Sequence, residues 1–322
     1  MKYKLWPFLV CVLVFSFASA QTSAPLFSVA KYKSDKQCAI SYTFDDGLKE
    51  HFTLVLPKFE KLGFKATFWI NGNTINQGEL GLQWEKPRAT WSQLKTMGDH
   101  GHEISNHGWT HKKLTLCTPE ELLFEIVHND SVIEKKIGKR PTTFGYPNNS
   151  RNSEIIKIVS KNRVGTRTSE FQMGSKSTPE SLSDKLESIL KNGDWCVTMI
   201  HGITNGYDAF KNESILWNHL EKVKSLEDKI WVATFQDVSA YTAEQQNIKL
   251  EIQENGKKWK VVPLLTLEKS LFNIPMTMVV NKGQITKLKA KQKGKLLPSK
   301  ISNDKALFDF DPNGGEITVL ID

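Results

Sequence analysis

The chain has 322 residues, of which 39% are hydrophobic and 24% charged. That composition excludes a disordered or fibrous chain and leaves room for one large globular domain, or one large and one small. The formal net charge of +8 suits anionic surfaces such as cell-wall polymers or acidic glycans, whereas lysines scattered rather than clustered with aromatics speak against nucleic acid.

The first twenty residues read as a targeting segment. Lys2 and Lys4 make a positive start, Leu9–Phe17 is an apolar run short for a bilayer span, and Ala18-Ser19-Ala20 is a small-residue cleavage pattern. A signal peptide over residues 1–20 is expected, with cleavage before Gln21 and a secreted or periplasmic product. Losing Lys2 and Lys4 lowers the charge to +6. Cys38, Cys117 and Cys196 remain; an odd number leaves at least one unpaired, and no C-x-x-C pair signals a thiolate metal site. No later stretch is long and apolar enough to span a membrane.

From about Gln37 to Tyr241, short β-type runs alternate with helical patterns. The expected strands are Ala39–Phe44, Ala66–Ile70, His102–Asn106, Thr142–Tyr146, Arg163–Thr166, Trp195–Ile200 and Ile230–Thr234. The amphipathic segments are Glu50–Leu62, Pro119–Ile137, Ser153–Lys161, Ser181–Lys191 and Trp217–Leu226, the second opened by a Thr118 cap, a proline and two glutamates. This alternation implies an α/β fold, a parallel sheet with helices outside. About seven units suggest a barrel related to the eight-fold kind, with a doubly wound open sheet as the alternative. Thr43-Phe44-Asp45-Asp46-Gly47 stands where a phosphate loop would follow the first strand, which disfavours nucleotide binding.

Near Asn247 the pattern changes. Ile248–Gln253, Trp259–Thr266, Pro275–Val280, Ile285–Lys291, Leu307–Phe310 and Glu316–Ile321 read as strands. Asn255-Gly256, Asn281-Lys282-Gly283 and Pro312-Asn313-Gly314-Gly315 are turns between them. The division expected is a barrel over 21–245 and a small C-terminal all-β sandwich-like module over 246–322, packed together because the join is short.

Three chemical clusters fall at strand ends, which share one face in a parallel barrel. Asp45 and Asp46 follow strand one; neighbouring side chains diverge there, so one can face a metal and the other the water bound to it. The pair alone also fits a helix cap and a turn. His107 and His111 have a metal-ligand spacing, which two unrelated surface histidines would also give. His201 ends an apolar strand beside Gly202, exposed to the cleft and suited to proton exchange near neutrality. An Asp, His, His set suits Zn2+, with Co2+ or Ni2+ as alternatives, and leaves a position for water. Hydrolysis then needs a base and an acid, supplied by the remaining Asp and His201. No Gly-x-Ser-x-Gly elbow supports a serine hydrolase. His51, His128 and His219 fall on helical segments whose solvated faces account for them, and His102 lies inside on strand three. Trp91 and Trp109 suit either a sugar groove or packing.

These residues resemble the polysaccharide deacetylases, the carbohydrate esterases built on the NodB homology domain. Thr43-Phe44-Asp45-Asp46-Gly47 is similar to the family's first motif, which implies Asp45 as base and Asp46 as metal ligand. The run from His102 to His111 is similar to the second, implying His107 and His111 as the other ligands. Phe144-Gly145-Tyr146-Pro147-Asn148 resembles the third, which implies a groove wall from Tyr146, Pro147 and Asn148 and a backbone N–H for the oxyanion. Met199-Ile200-His201 resembles the last, implying His201 as acid and Met199 against the acetyl methyl. The resemblance spans about Ala39 to Tyr241. It implies a distorted seven-stranded barrel and metal-dependent removal of acetyl groups, N- or O-linked, from an acetylated carbohydrate. Three departures stand out: Gly108 replaces a Ser or Thr, the third motif lacks the Arg that orients the base near Gly145 and the Tyr usual near Asn148, and the Asp-aromatic fourth motif is unrecognisable around Val164–Glu170. Arg167 stands there; a contact to Asp45 would compensate, and a solvated loop residue or a partner for an acidic substrate is the alternative. The second reading is a carbohydrate-binding protein on a decayed deacetylase scaffold; it needs neither Asp45 nor His201.

Overall fold

The computed structural model describes residues 26–76, 87–281, 285–302 and 305–321; the expected signal peptide lies outside the described residues. In chain order the strands are β1 (Phe27–Val29), β2 (Cys38–Ser41), β3 (Thr43–Asp45), β4 (Thr67–Ile70), β5 (Glu103–Asn106), β6 (Thr143–Gly145), β7 (Gly165–Arg167), β8 (Phe171–Gln172) and β9 (Trp195–Met199). They continue with β10 (Ile230–Val232), β11 (Ile248–Asn255), β12 (Lys258–Leu265), β13 (Met276–Asn281), β14 (Leu288–Gln292), β15 (Lys295–Leu297), β16 (Ser299–Ser302), β17 (Lys305–Phe310) and β18 (Ile317–Ile321).

The parallel strands make two sheets, β3-β4-β5-β6-β7 and β10-β2-β9-β8. Strand one kinks at Tyr42, whose ring is fully buried. Its first half, β2, pairs with β9 and β10, and its second half, β3, pairs with β4. The sheets join where Phe44 bridges Ile200; Asp45 N–H donates to Ile200 O at 2.8 Å. The fold is α/β with a strongly curved parallel sheet. Sheet pairing differs from the expected ring of seven: the kink at Tyr42 and the two-residue β8 multiply the strands, and no pairing among the described residues joins β7 to β8. Every residue of β2 through β6 is buried, as helix-covered parallel strands must be.

Aromatic residues fill the core beneath the strand ends. Phe44 stacks on Phe68 at 5.3 Å and meets Phe59 edge-on at 5.7 Å. Two helices escaped the reading of the sequence, Trp91–Asp99 and Phe235–Asn247. The first opens with a reciprocal Thr90–Gln93 capping box, a signal that was present, and the second with a Thr234 cap. Trp91 packs on the main core rather than in a groove. Two histidines correct the expectation of solvated helix faces. His51 is fully buried and donates from Nε2 to His201 O at 2.9 Å, and His219 Nε2 lies 2.8 Å from the Tyr42 hydroxyl. Both helices turn these side chains inward, where a polar partner waits. His128 is half-buried between Phe124 and Trp109. Cys38, Cys117 and Cys196 are all free thiols.

The remaining strands are antiparallel and form the sheets β1-β13-β17-β16 and β11-β12-β18-β14-β15. Met278, Phe308 and Phe310 of the first meet Val261, Val319 and Ile321 of the second in one core. Two features tie this unit to the parallel sheets. Phe27 of β1 pairs with Val280 of β13, so a segment expected to lead into the barrel supplies an edge strand. Tyr241, on the Phe235–Asn247 helix, packs into the same core and donates its hydroxyl to Ala30 O at 3.1 Å.

Candidate metal centre and active site

The ends of β3, β5, β6, β7 and β9 converge on one cleft of about 580 Å3, lined by Asp45, Asp46, His107, His111, Tyr146, Asn148, Arg167, Met199, His201 and Tyr207, among others. Of the residues given catalytic, ligand or groove-wall roles by the resemblance, all but Pro147 line that cleft, and Pro147 lies one position away in the same turn.

Asp45 and Asp46 diverge as their strand-end position requires. Asp45 is buried at the floor, while Asp46 takes a left-handed conformation, φ 75°, that turns its carboxylate to the cleft. His111 Nε2 lies 3.4 Å from Asp46 Oδ1, and His107 Nε2 lies 3.7 Å from the same oxygen. One ligand atom from each residue falls within 4.8 Å of the others. Asp46 Oδ1 is buried without a hydrogen-bond partner. An orphaned carboxylate oxygen facing two imidazole nitrogens is a poor arrangement for the protein alone and a good one around a cation. His107 Nδ1 is tied to Gly145 O at 2.7 Å, which fixes the ring and leaves Nε2 free to ligate. Burial pushes the His107 imidazole down to about 4, against the opposing pull of Asp45 and Asp46, so it is neutral near pH 7, the form a metal takes.

The loop from His107 to His111 is braced from behind. Gly108 has φ 73°, and a Cβ there would lie 3.1 Å from Glu125 Oε2 and from Pro147 Cγ. The departure from Ser or Thr thus follows from geometry, and Thr110 does the bracing instead. Its N–H donates to Glu125 Oε2 at 2.8 Å and its hydroxyl to Glu125 Oε1. Asn129 Nδ2 donates to Ile70 O, Asn106 Oδ1 and Gly108 O at 2.8–3.0 Å, and Asn106 Nδ2 to Asp130 Oδ1 at 2.6 Å. Asp130 in turn pairs with Arg163 at 2.6 Å. These buried positioning residues were not singled out from the sequence.

Arg167 meets Asp45 with two nitrogens, Nη1 to Oδ1 at 2.6 Å and Nη2 to Oδ2 at 2.5 Å, and gives a third bond to Thr43 Oγ1 at 2.9 Å. Gly145 and Arg167 are register partners on β6 and β7, so the guanidinium arrives one strand over from the position where the resemblance puts an arginine. A side chain at 145 has no room, since its Cβ would lie 2.9 Å from the Trp69 ring. Burial alone would raise the Asp45 pKa; Arg167, with His107 and His201, overrides it and holds the carboxyl far below the usual range. His201 faces the same carboxylate, Nε2 3.9 Å from Asp45 Oδ2, and its ring lies edge-on to Tyr207 at 5.0 Å. The turn carrying Tyr207 is anchored by Glu50, which accepts the N–H groups of Ile203 and Thr204 at 2.8 and 3.0 Å. Trp109 packs edge-on against His128 and is not among the residues lining the cleft.

Comparison with known proteins is consistent with this site. Residues 32–166 match the family model described as Polysaccharide deacetylase. YxkH of Bacillus subtilis, assigned to the same family, is 27% identical over 160 residues, 50% of this chain and 52% of its own length. The peptidoglycan-N-acetylmuramic acid deacetylase PdaC of Bacillus subtilis is 32% identical over 120 residues, 37% of this chain and 23% of its own. The chain thus spans about half or less of these relatives. A crystal structure of a Mycobacterium smegmatis protein assigned to the polysaccharide deacetylases aligns over 68% of this chain and 94% of its own, with 13% identity and a TM-score of 0.53, a likeness of fold alone. The family model ends at residue 166, before Arg167 and His201.

Proposed function

Because residues 32–166 belong to the polysaccharide deacetylase family, we propose that this chain is an exported, metal-dependent deacetylase that hydrolyses N- or O-acetyl groups of a carbohydrate polymer or oligosaccharide. The observation that carries the reading is the pairing, in one cleft, of an Asp46–His107–His111 ligand set with an ionised Asp45 clamped by Arg167.

Asp46, His107 and His111 would hold a divalent ion, most suitably Zn2+, which when bound would supply an acidified water and a polarised acetyl carbonyl. Asp45 accepts a proton from that water as its oxygen adds to the carbonyl carbon. The Arg167 clamp fixes the carboxylate's orientation and also weakens it as a base, which is why it needs an acidified water. His201, whose Nε2 lies 3.9 Å from Asp45 Oδ2, donates a proton to the sugar nitrogen or oxygen as the bond to the acetyl carbon breaks and acetate leaves. Developing oxyanion charge falls near the Tyr146–Asn148 turn, where Pro147 has no N–H and Tyr146 or Asn148 is left to donate one. Met199 offers the apolar contact for the acetyl methyl. A carbohydrate-binding protein would gain nothing from a buried two-bond clamp on a carboxylate, which weighs against the second reading.

Acetate release from chitin oligomers, peptidoglycan and acetyl-xylan tests the activity and identifies the linkage. Release from at least one is expected; none from any of the three contradicts the proposal. Arg167→Ala is expected to lower turnover about tenfold or more with metal stoichiometry unchanged. Removing the guanidinium lets burial raise the Asp45 pKa, so the acidic limb of the kcat/KM profile moves to higher pH. Arg167→Lys restores part of the loss, since it keeps the charge without the fork. A profile unmoved in Arg167→Ala would show that the contact is structural only.

A further inference from the structure

We infer that the C-terminal β unit carries a second binding site, a lysine-lined sheet face that takes a polyanionic glycan chain. This site is separate from the catalytic cleft and its test does not depend on deacetylation.

The face is fixed by register. On adjacent strands β12, β18 and β14, Lys258 pairs with Leu320 and Leu320 with Lys289; Lys260 pairs with Thr318 and Thr318 with Lys291. Directly opposed residues of antiparallel strands project to the same side. The four lysines therefore stand at the corners of a rectangle, about 10 Å across the strands and about 7 Å along them. All four are exposed, while Val261, Ala290 and Val319 fill the core on the reverse face. Strand β11 widens the surface: Gln253 pairs with Lys260 and Asn255 with Lys258, adding amides, Lys249 with Leu264 adds a fifth cation, and Glu251 with Val262 adds one carboxylate.

The five lysines outnumber the two carboxylates beside them, Glu251 and Glu316. Lys260 lies 3.3 Å from Glu316, but Lys249, Lys258, Lys289 and Lys291 have no carboxylate partner among the described residues. Residues 246–322 hold 13 lysines, no arginine and 8 acidic residues, a surplus of five against +8 for the whole chain. Lysines often blunt exposed sheet edges against aggregation. That role does not account for this set, because the edges are β11 and β15 and the four lysines lie on interior strands. Cations held about a Debye length apart repel one another, and a ligand with regularly spaced anions relieves that repulsion. The surrounding Thr318, Gln253 and Asn255 add hydrogen-bonding groups for hydroxyls, and Leu320 an apolar centre. Together they fit a linear saccharide polymer bearing repeated carboxylates, a polyuronate.

Binding of the full chain to fluorescent polygalacturonate tests this, with poly(glycerol phosphate), neutral dextran and a DNA duplex as comparisons. Saturable binding to polygalacturonate is expected, weakening at least about tenfold between about 50 and 200 mM salt. The variant with Lys258→Glu, Lys260→Glu, Lys289→Glu and Lys291→Glu should lose at least about tenfold in affinity with its thermal midpoint unchanged, because these side chains leave the core untouched. The fourfold Lys→Arg variant should bind within about twofold of the native chain, since it keeps every charge. If the fourfold reversal unfolds, Lys289→Glu with Lys291→Glu gives the same reading with half the perturbation. Unchanged affinity in the reversal variants, absence of binding to polygalacturonate, or tighter binding to poly(glycerol phosphate) or to the duplex would overturn the proposal.

Discussion

Asp45→Asn is expected to lower turnover on an acetylated glycan by about a hundredfold or more while the metal site still fills. The substitution keeps the size and buried position of the side chain but removes the group that accepts the water's proton. Asp46, His107 and His111 are untouched, so metal stoichiometry should match the native chain. The cost to folding has a clear source: Arg167 loses the charge it pairs with in a site where neither partner reaches water. Activity and metal content should therefore be measured well below the variant's melting midpoint. Near-native turnover with metal bound would mean that Asp45 orients Arg167 rather than accepts a proton, and the base would have to be sought elsewhere in the cleft.

How much of this was legible in the sequence depended on whether a residue's role is set locally or by the fold. Asp45, Asp46 and His201 were legible because they end short strand-like runs, and His107 and His111 because a metal-ligand spacing follows another; parallel strands bring such ends to one face. Arg167 was reachable only as a candidate; its contact rests on the register of Gly145 with Arg167, a pairing across 22 residues that no periodicity encodes. Asn106, Asn129 and Glu125 were missed because a polar residue within a helix or strand gives no sign that its partner lies a strand away. His51 and His219 misled for the same reason in reverse: helical spacing located them correctly, but not which way the helix faced.

The architecture followed a similar division. Alternation of β and α units was enough for an α/β fold and for an all-β C-terminal unit. The kink at Tyr42, which turns one expected strand into β2 and β3, arises where a buried tyrosine reaches His219 across the core, and nothing in the local pattern marks it. Strand β1 was invisible because three residues are too few for a period-two signal, and its partner β13 lies some 250 residues away.

Removal of the metal should have the largest effect of all. With Asp45 clamped in its weakly basic state, its carboxylate is too weak a base for an ordinary water, so the metal-free chain should lose turnover to background. The most direct test is to dialyse the protein against a chelator, confirm loss of metal, and titrate Zn2+ back while following acetate release from the responsive substrate. Release should fall to background and return in proportion to bound metal, saturating at about one ion per chain; full acetate release from metal-free protein would contradict the account.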